Sequence, residues 1–301
     1  MTDPVKQQDV PDSIPAPDAP ATATAPTPTP TTDAPWLVAL DVDGTIMLAD
    51  GTITPAVASE VARLRDAGHE VMIATGRAAS MTLPVVEQLQ IAPEYLVCSN
   101  GAVTLRRDPN APLGYTRAHV ETFNPTGVLT AIYERLEGAS FAVEDEHGHY
   151  RYVGDFPNAS LGISSEQVEF EQLLDVEATR VVVLSFEHGQ EEFLSIVEEI
   201  GLHKVSYNIG WTAWLDIAPD GVNKATGMER VREWLDMPRS RIIAVGDGRN
   251  DLELLEWAAV QGRGVAMGQA PDEVKAAANE LTGRDDEDGL AATLATVARD
   301  G

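Results

Sequence analysis

The stretch Trp36-Leu-Val-Ala-Leu40-Asp41-Val42-Asp43-Gly44-Thr45 decides the fold. Its leading apolar run reads as a buried strand, and two acids follow where that strand ends. Gly44 permits a tight turn there. In parallel α/β sheets ligands bind beyond the carboxyl ends of the strands, so Asp41 and Asp43 are expected to face a crevice.

Working outward, Pro55 to Ala67 reads as a helix stopped by Gly68, and Glu70 to Ala74 as a second strand. A helix from Ala78 to Leu89, bent at Pro84, leads to a strand from Tyr95 to Ser99. Strands separated by helices of this length imply right-handed crossovers and a parallel sheet. The rhythm returns late: helix Lys224 to Leu235, strand Arg241 to Val245, helix Asp251 to Ala258, strand Gly264 to Met267 and a helix from Leu290 to Ala298.

Between these halves the texture differs. Phe141 to Glu144 and His149 to Val153 flank His147-Gly148 as an antiparallel hairpin. Further strands are expected at Val181 to Phe186, Lys204 to Tyr207 and Trp211 to Ile217, with helices at Pro125 to Leu136, Gln167 to Leu174 and Glu191 to Ile200. The expected fold is α/β, a doubly wound, parallel-sheet, Rossmann-like core (36–105 and 219–301) with an inserted α+β cap domain (106–218). Residues 1–35, of which 22 are Pro, Thr or Ala, read as a disordered tail.

The chain has 48 Asp and Glu against 21 Lys and Arg, a formal net charge of -27. A field of that sign repels polyanions, which argues against nucleic acid and anionic membrane as partners. No apolar run approaches the ~18 residues of a membrane span. The single Cys98 excludes an intramolecular disulfide and a Cys-based zinc site, and its apolar surroundings make it a small core residue. The tail lacks an apolar signal region and any Arg, so the expected location is the cytoplasm.

A second acidic cluster ends a later strand, in Val245-Gly246-Asp247-Gly248-Arg249-Asn250-Asp251. If the two strand ends meet, Asp41, Asp43, Asp247 and Asp251 share one site. Two like charges ~4 Å apart repel by about 4 kcal/mol at an effective dielectric of 20, and a divalent cation relieves this. Oxygen ligands without His or Cys favour Mg²⁺ over zinc. Thr75-Gly76-Arg77, ending the second strand, offers a hydroxyl, backbone amides and a guanidinium to phosphate oxygens, and Lys224 offers a point cation. Nucleophilic carboxylate, metal, hydroxyl and Lys together describe phosphoryl transfer through an aspartyl-phosphate.

In order, Asp41-Val-Asp43-Gly-Thr45, Thr75-Gly-Arg77, Lys224 and Gly246-Asp-Gly-Arg-Asn250-Asp251 resemble the four motifs of the haloacid dehalogenase-like phosphatases. Ser99-Asn100-Gly101-Ala102, the insertion after it and Gly264-Val-Ala-Met-Gly268 are similar to the Cof-like branch (type IIB, C2-capped), whose members hydrolyse small phosphorylated metabolites. The resemblance spans the chain from about Trp36 onward. It implies that Asp41 attacks phosphorus and Asp43 is general acid, then base. It places Mg²⁺ on the Asp41 carboxylate, the Asp43 backbone carbonyl and Asp247, with Asn250 and Asp251 completing or orienting the shell. Thr75 would bind the phosphoryl group and Lys224 would neutralise the nucleophile, while Gly44, Gly76, Arg77 and Asn100 border the substrate. Ala225-Thr226 follow Lys224 where relatives often carry Gly, a departure of little expected effect. The second acid, Asp43, favours phosphate-ester hydrolysis over carbon–halogen cleavage.

The implied activity is a Mg²⁺-dependent phosphatase of small phosphorylated metabolites, sugar phosphates foremost. A phosphomutase or phosphotransferase is the alternative within the family, and a phospho-Asp signalling module the alternative outside it. Asp43 and the inserted segment argue against the latter. Specificity is expected on the cap, where no motif is legible. His147 and His149 lack a third ligand and read as a solvated hairpin tip rather than a metal site. Trp211 and Trp214 are expected on opposite faces of one strand, one in the core and one toward substrate.

Overall fold

The computed structural model describes residues 34–157, 161, 164–174, 176–200, 205–209 and 213–297. By its contacts the chain divides between residues 32 and 33, and every described residue belongs to the second unit. The tail, Trp211 and the start of the strand expected at Lys204 lie outside the described residues.

The chain opens with β1 (Leu37–Leu40), α1 (Pro55–Asp66), β2 (Glu70–Ile73), α2 (Ala79–Gln88) and β3 (Tyr95–Cys98). A hairpin of β4 (Val103–Arg107) and β5 (Tyr115–Val120) follows. The middle contributes α3 (Thr126–Tyr133), β6 (Ser140–Asp145), β7 (Tyr150–Val153), β8 (Ser165–Gln167), α4 (Glu171–Leu174), β9 (Ala178–Leu184), α5 (Gln190–Ile200), β10 (Val205–Ile209) and β11 (Trp214–Pro219). Closing the fold are α6 (Lys224–Trp234), β12 (Ile242–Gly246), α7 (Leu252–Ala259), β13 (Arg263–Ala266), α8 (Asp272–Ala277), β14 (Glu280–Leu281) and α9 (Gly289–Leu294).

One sheet runs β14-β13-β12-β1-β2, and every pairing in it is parallel. Alternate residues feed two apolar layers, as a sheet covered on both faces requires. Val38, Leu40, Val71, Ile73, Ile243 and Val245 pack on the side of α1, α2 and α9. Leu37, Ala39, Met72, Ile242 and Ala244 pack on the side of α6, α7 and α8. β3 joins the edge through a parallel bridge between Ala74 and Val97, then pairs antiparallel with β4, and β4 with β5. The expected core boundary after residue 105 therefore falls inside β4. Cys98 is buried as expected, and burial pushes its thiol up to about 12.

The second sheet, β10-β11-β9-β6-β7-β8, is antiparallel except at its β7–β8 edge. The expected hairpin around His147-Gly148 is β6–β7. The helix expected over Gln167 to Leu174 shrinks to α4. Its first residue, Gln167, ends β8, an exposed edge strand held by main-chain pairing to β7 and by Glu166 beside His149 and Arg151. Such a strand buries no apolar face, so it leaves no period in the sequence. Among the described residues no helix is long and apolar enough to cross a membrane.

The junction from β11 into α6 is set locally. Asn223 caps the helix through the amide of Thr226, and the Thr226 hydroxyl accepts in return from the Asn223 amide, which fixes Lys224 as the first helical residue. Gly101, at φ 100°, packs directly on the Asn223 carbonyl, and a methyl group there would collide with it. Gly101→Ala is expected to destabilise the fold by at least about 2 kcal/mol. Loss of the cap in Asn223→Ala is expected to cost about 1 kcal/mol. Urea unfolding midpoints check both, and an unchanged midpoint in Gly101→Ala would contradict the close approach.

Candidate active site

Every expected site residue lies at a carboxyl end of the parallel sheet or on the segments packed against it. Asp41 and Asp43 follow β1, Thr75, Gly76 and Arg77 follow β2, Asn100 follows β3, Asp247, Asn250 and Asp251 follow β12, and Lys224 opens α6. The loops carrying Asp41 and Asp247 are drawn together by the β1–β12 pairing, with the Asp41 amide donating to the Val245 carbonyl.

At the centre lies the Lys224 ammonium, which is wholly buried. It donates to Asp41 Oδ1 and to Asp251 Oδ1, both at 2.7 Å. Asp251 is equally buried, and its Oδ2 accepts from the amides of Asp247 (3.1 Å) and Gly248 (3.0 Å). Both Asp251 oxygens are thus committed to holding its neighbours. The Asp247 carboxylate sits against Gly44, where a side chain would collide with it, and Thr45 Oγ1 lies 3.4 Å from Asp247 Oδ1.

One cation therefore faces three buried carboxylates. Carboxylate oxygens of Asp41, Asp247 and Asp251 lie within 4.8 Å of one another. Burial, helped by the neighbouring Asp251, raises the Asp247 carboxyl to about 7. Burial also raises Asp41 well above the usual carboxylate range, outweighing Lys224, and Asp251, Asp247 and Asp43 push it the same way. A cluster that resists carrying its full charge, offers only oxygen ligands and is closed to bulk water fits a hard divalent cation.

Around this cluster the groups of the Thr75–Arg77 turn are arranged by hydrogen bonds. Thr75 is buried, and its Oγ1 accepts from the Arg77 amide at 3.1 Å, which leaves the hydroxyl proton free to donate. Arg77 forms a two-pronged pair with Asp43, Nε to Oδ2 at 2.8 Å and Nη2 to Oδ1 at 2.5 Å. The Asp43 side chain is 65% exposed and stands outside the buried cluster. Asn250 Nδ2 donates to Asn100 Oδ1 at 3.0 Å, so its amide serves the Asn100 turn rather than the carboxylate cluster, and Gly76 lies against both amides. The His147 and His149 pair is a hairpin tip. His147 is exposed, and His149 is engaged by Ser164 and Glu166.

Two residues at the site, Gln269 and Glu144, carried no sequence signal of their own. Gln269 Nε2 donates to the Gly44 carbonyl while its Oε1 accepts from the Asp285 amide, tying the Asp43-Gly44 turn to the far end of the chain. Ser99 and Asn100 both adopt left-handed backbone, at φ 48° and 51°, a costly conformation that concentrates at functional sites. From β6 the fully buried Glu144 accepts from Ser99 Oγ (2.9 Å) and Tyr150 Oη (3.1 Å) on one oxygen. Burial raises its carboxyl, opposed chiefly by Arg180. Gln269 follows the quoted Gly264–Gly268 run, the one hint available. Glu144 looks in sequence like any polar strand residue.

Comparison with known proteins places this geometry. Residues 38–294 match the family model of haloacid dehalogenase-like hydrolases. The chain is 30% identical over 270 residues to the 5-amino-6-(5-phospho-D-ribitylamino)uracil phosphatase YitU of Bacillus subtilis, covering 86% of this chain and 96% of that protein. It is 28% identical over 275 residues to the pyridoxal phosphate phosphatase YbhA of Escherichia coli, covering 85% and 96%. Among solved structures, a subclass IIB sugar phosphatase of the same superfamily aligns with a TM-score of 0.72 at 22% identity, over 86% of this chain and 98% of that one. The parallel core and the inserted sheet are shared with that fold. With the matched model spanning most of its length, the chain belongs to the haloacid dehalogenase-like hydrolases.

Proposed function

We propose that this protein is a Mg²⁺-dependent phosphatase of small phosphorylated metabolites that works through an aspartyl-phosphate. The observation that carries the reading is Lys224 pinning Asp41 Oδ1, which leaves Oδ2 as the free oxygen of a buried, pre-oriented carboxylate. The named activities of the relatives, on a phosphorylated ribitylaminouracil and on pyridoxal phosphate, support it. Residues 36–105 and 219–301 form the catalytic core and 106–218 the cap, with the β4–β5 hairpin attached to the core by its pairing to β3.

In this reading Asp41 Oδ2 attacks phosphorus as the bond to the leaving oxygen breaks. Asp43 gives that oxygen a proton and departs as a carboxylate. It then takes a proton from water, whose oxygen attacks phosphorus and expels Asp41, releasing inorganic phosphate. Thr75 Oγ1 and the amides of the Thr75–Arg77 turn receive phosphoryl oxygens. Arg77 holds Asp43 in place and turns its charge to the incoming anion, which frees Asp43 for proton transfer. Asp41 and Asp247, with the Asp43 carbonyl, would hold Mg²⁺, and Asp251 and Asn250 keep the surrounding loops in place. The ion supplies positive charge for the nucleophile and the phosphoryl oxygens.

Asp41→Asn is expected to lower phosphate release at least about 10³-fold while leaving the thermal transition in place. Near-normal turnover would refute the assignment of the nucleophile. Lys224→Met leaves Asp41 and Asp251 buried and unpaired, and is expected to cost about 3–5 kcal/mol in urea unfolding as well as activity. The pH dependence has a definite sign. Asp247 has a folded pKa of about 7 against 3.8 for the free group, and Asp41 moves the same way, so their share of stability is full below about 4 and is lost as pH rises through about 7. In chelator, the stability share of these two groups is therefore expected to decline from pH 5 to pH 8. The decline reads as the Tm difference from an Asp247→Asn variant. Added Mg²⁺ should raise the Tm more at pH 8 than at pH 5, where protons compete for the same oxygens. An equal Mg²⁺ shift at both values would contradict the carboxylate site.

A further inference from the structure

The second sheet has two faces of different chemistry. Phe141 and Val143 of β6, Val181 and Val183 of β9, and Leu215 and Ile217 of β11 pack with residues of α3 and α5 in one apolar layer. The alternate residues point the other way: Ala142 and Glu144, Tyr150 and Tyr152, Arg180 and Val182, Trp214 and Asp216. Ala142, Tyr150 and Val182 form one cluster with Ala78 of the core, and Tyr152, Phe156 and Trp214 pack around it. Ala78 directly follows Arg77, the partner of Asp43. This face of the inserted sheet therefore lies over the Thr75–Arg77 turn.

Its aromatic members are not finished core. Tyr152, Phe156 and Trp214 are each only half-buried. The Phe156 ring stands edge-on to both neighbours, with centroids 6.0 Å from Tyr152 and 6.4 Å from Trp214 at 84° and 86°. Each of the three residues keeps part of its surface exposed, which a further planar group can cover. Among the described residues neither Tyr152 Oη nor Trp214 Nε1 has a hydrogen-bond partner. On the same face as Trp214, Arg180 donates from Nε to Asp216 Oδ1 and from Nη1 to the Tyr150 hydroxyl, and among the described residues Asp216 Oδ2 accepts no hydrogen bond. Rings with a donor at two tips and a carboxylate oxygen beside them suit a flat group with polar edges. An open-chain polyol phosphate has no flat face to lay against these rings.

We infer that Tyr152, Phe156 and Trp214 form a specificity shelf for a planar heteroaromatic ring on the alcohol that leaves with the phosphate oxygen. The inference rests on the phosphatase reading for the position of the phosphate and narrows its substrates to phosphomonoesters of ring-bearing alcohols.

The test uses the full chain with Mg²⁺ and compares kcat/KM for flavin mononucleotide and pyridoxine 5′-phosphate with that for ribitol 5-phosphate, the ring-free match of the flavin side chain. At least one ring-bearing ester is expected to be preferred about tenfold or more. That preference should fall at least tenfold in Trp214→Leu and Phe156→Leu, mainly through KM, and largely return in Trp214→Phe. No preference in the parent enzyme, or one that survives both leucine substitutions, overturns the shelf and leaves the phosphatase reading standing. A binding arm needs no turnover: the two ring-bearing esters are titrated into the Asp41→Asn variant, with isothermal titration calorimetry as the readout. A Kd at least tenfold higher once Trp214→Leu is added supports the shelf, and an unchanged Kd overturns it. Binding of this kind without phosphate release from any ester by the parent enzyme would retain the shelf and sink the phosphatase reading.

Discussion

The buried ammonium of Lys224 is the constraint on which the site depends. It joins the end of β1 to the loop after β12 by bonding Asp41, 183 residues away in sequence, and Asp251, 27 residues away. Its charge offsets part of the desolvation that raises the Asp41 carboxyl. The cost of burying Lys224 is met by two hydrogen-bonded partners, and the geometry that meets it is imposed from outside the site by the Asn223 cap and by Gly101 under its carbonyl. A helix N-terminus is the unfavourable end for a cation, so Lys224 stands there for its reach into the cluster rather than for the helix.

Division of labour among the acids follows from burial. Asp251 spends both oxygens on scaffolding, Asp41 spends one, and Asp247 faces the cluster against the bare backbone of Gly44. Asp43, two residues from Asp41, is solvent-facing and held by Arg77. One dipeptide step thus separates a carboxylate kept from water from one in contact with it, the difference a nucleophile and a proton carrier require.

Much of this was legible because the chemistry sits at strand ends. Apolar runs such as Leu37–Leu40 and Ile242–Gly246 announce where a parallel strand stops, and the acids after them announce the crevice. Spacing alone does not tell which side of a turn a side chain takes, and the bond from Asn250 Nδ2 to Asn100 could be seen only in the structure. β8 was missed because its residues are polar and exposed, and β4 because its two buried apolar residues, Val103 and Leu105, run straight into Arg106 and Arg107. Glu144 was invisible for a different reason. A buried carboxylate is recognised only by its partners, and Ser99, Tyr150 and Arg180 come from three separate strands or turns.

The net charge of -27 acquires a physical meaning in this setting. Residues 106–218 carry 19 acids against seven bases, yet on the face that this segment turns to the core the buried Arg180 pairs with Asp216 and stands near Glu144, which also accepts from a Ser and a Tyr hydroxyl. An anionic substrate approaching such a protein gains nothing from the far field, which salt screens within a Debye length of ~8 Å at physiological ionic strength. In the proposed reading capture is won at contact, by Arg77, the Thr75 hydroxyl and the metal ion that Asp41 and Asp247 would hold. The surplus of acids that repels the substrate at a distance is, inside the cluster, what gives the cation its site. Global repulsion and local attraction thus arise from the same residue type and are separated only by burial.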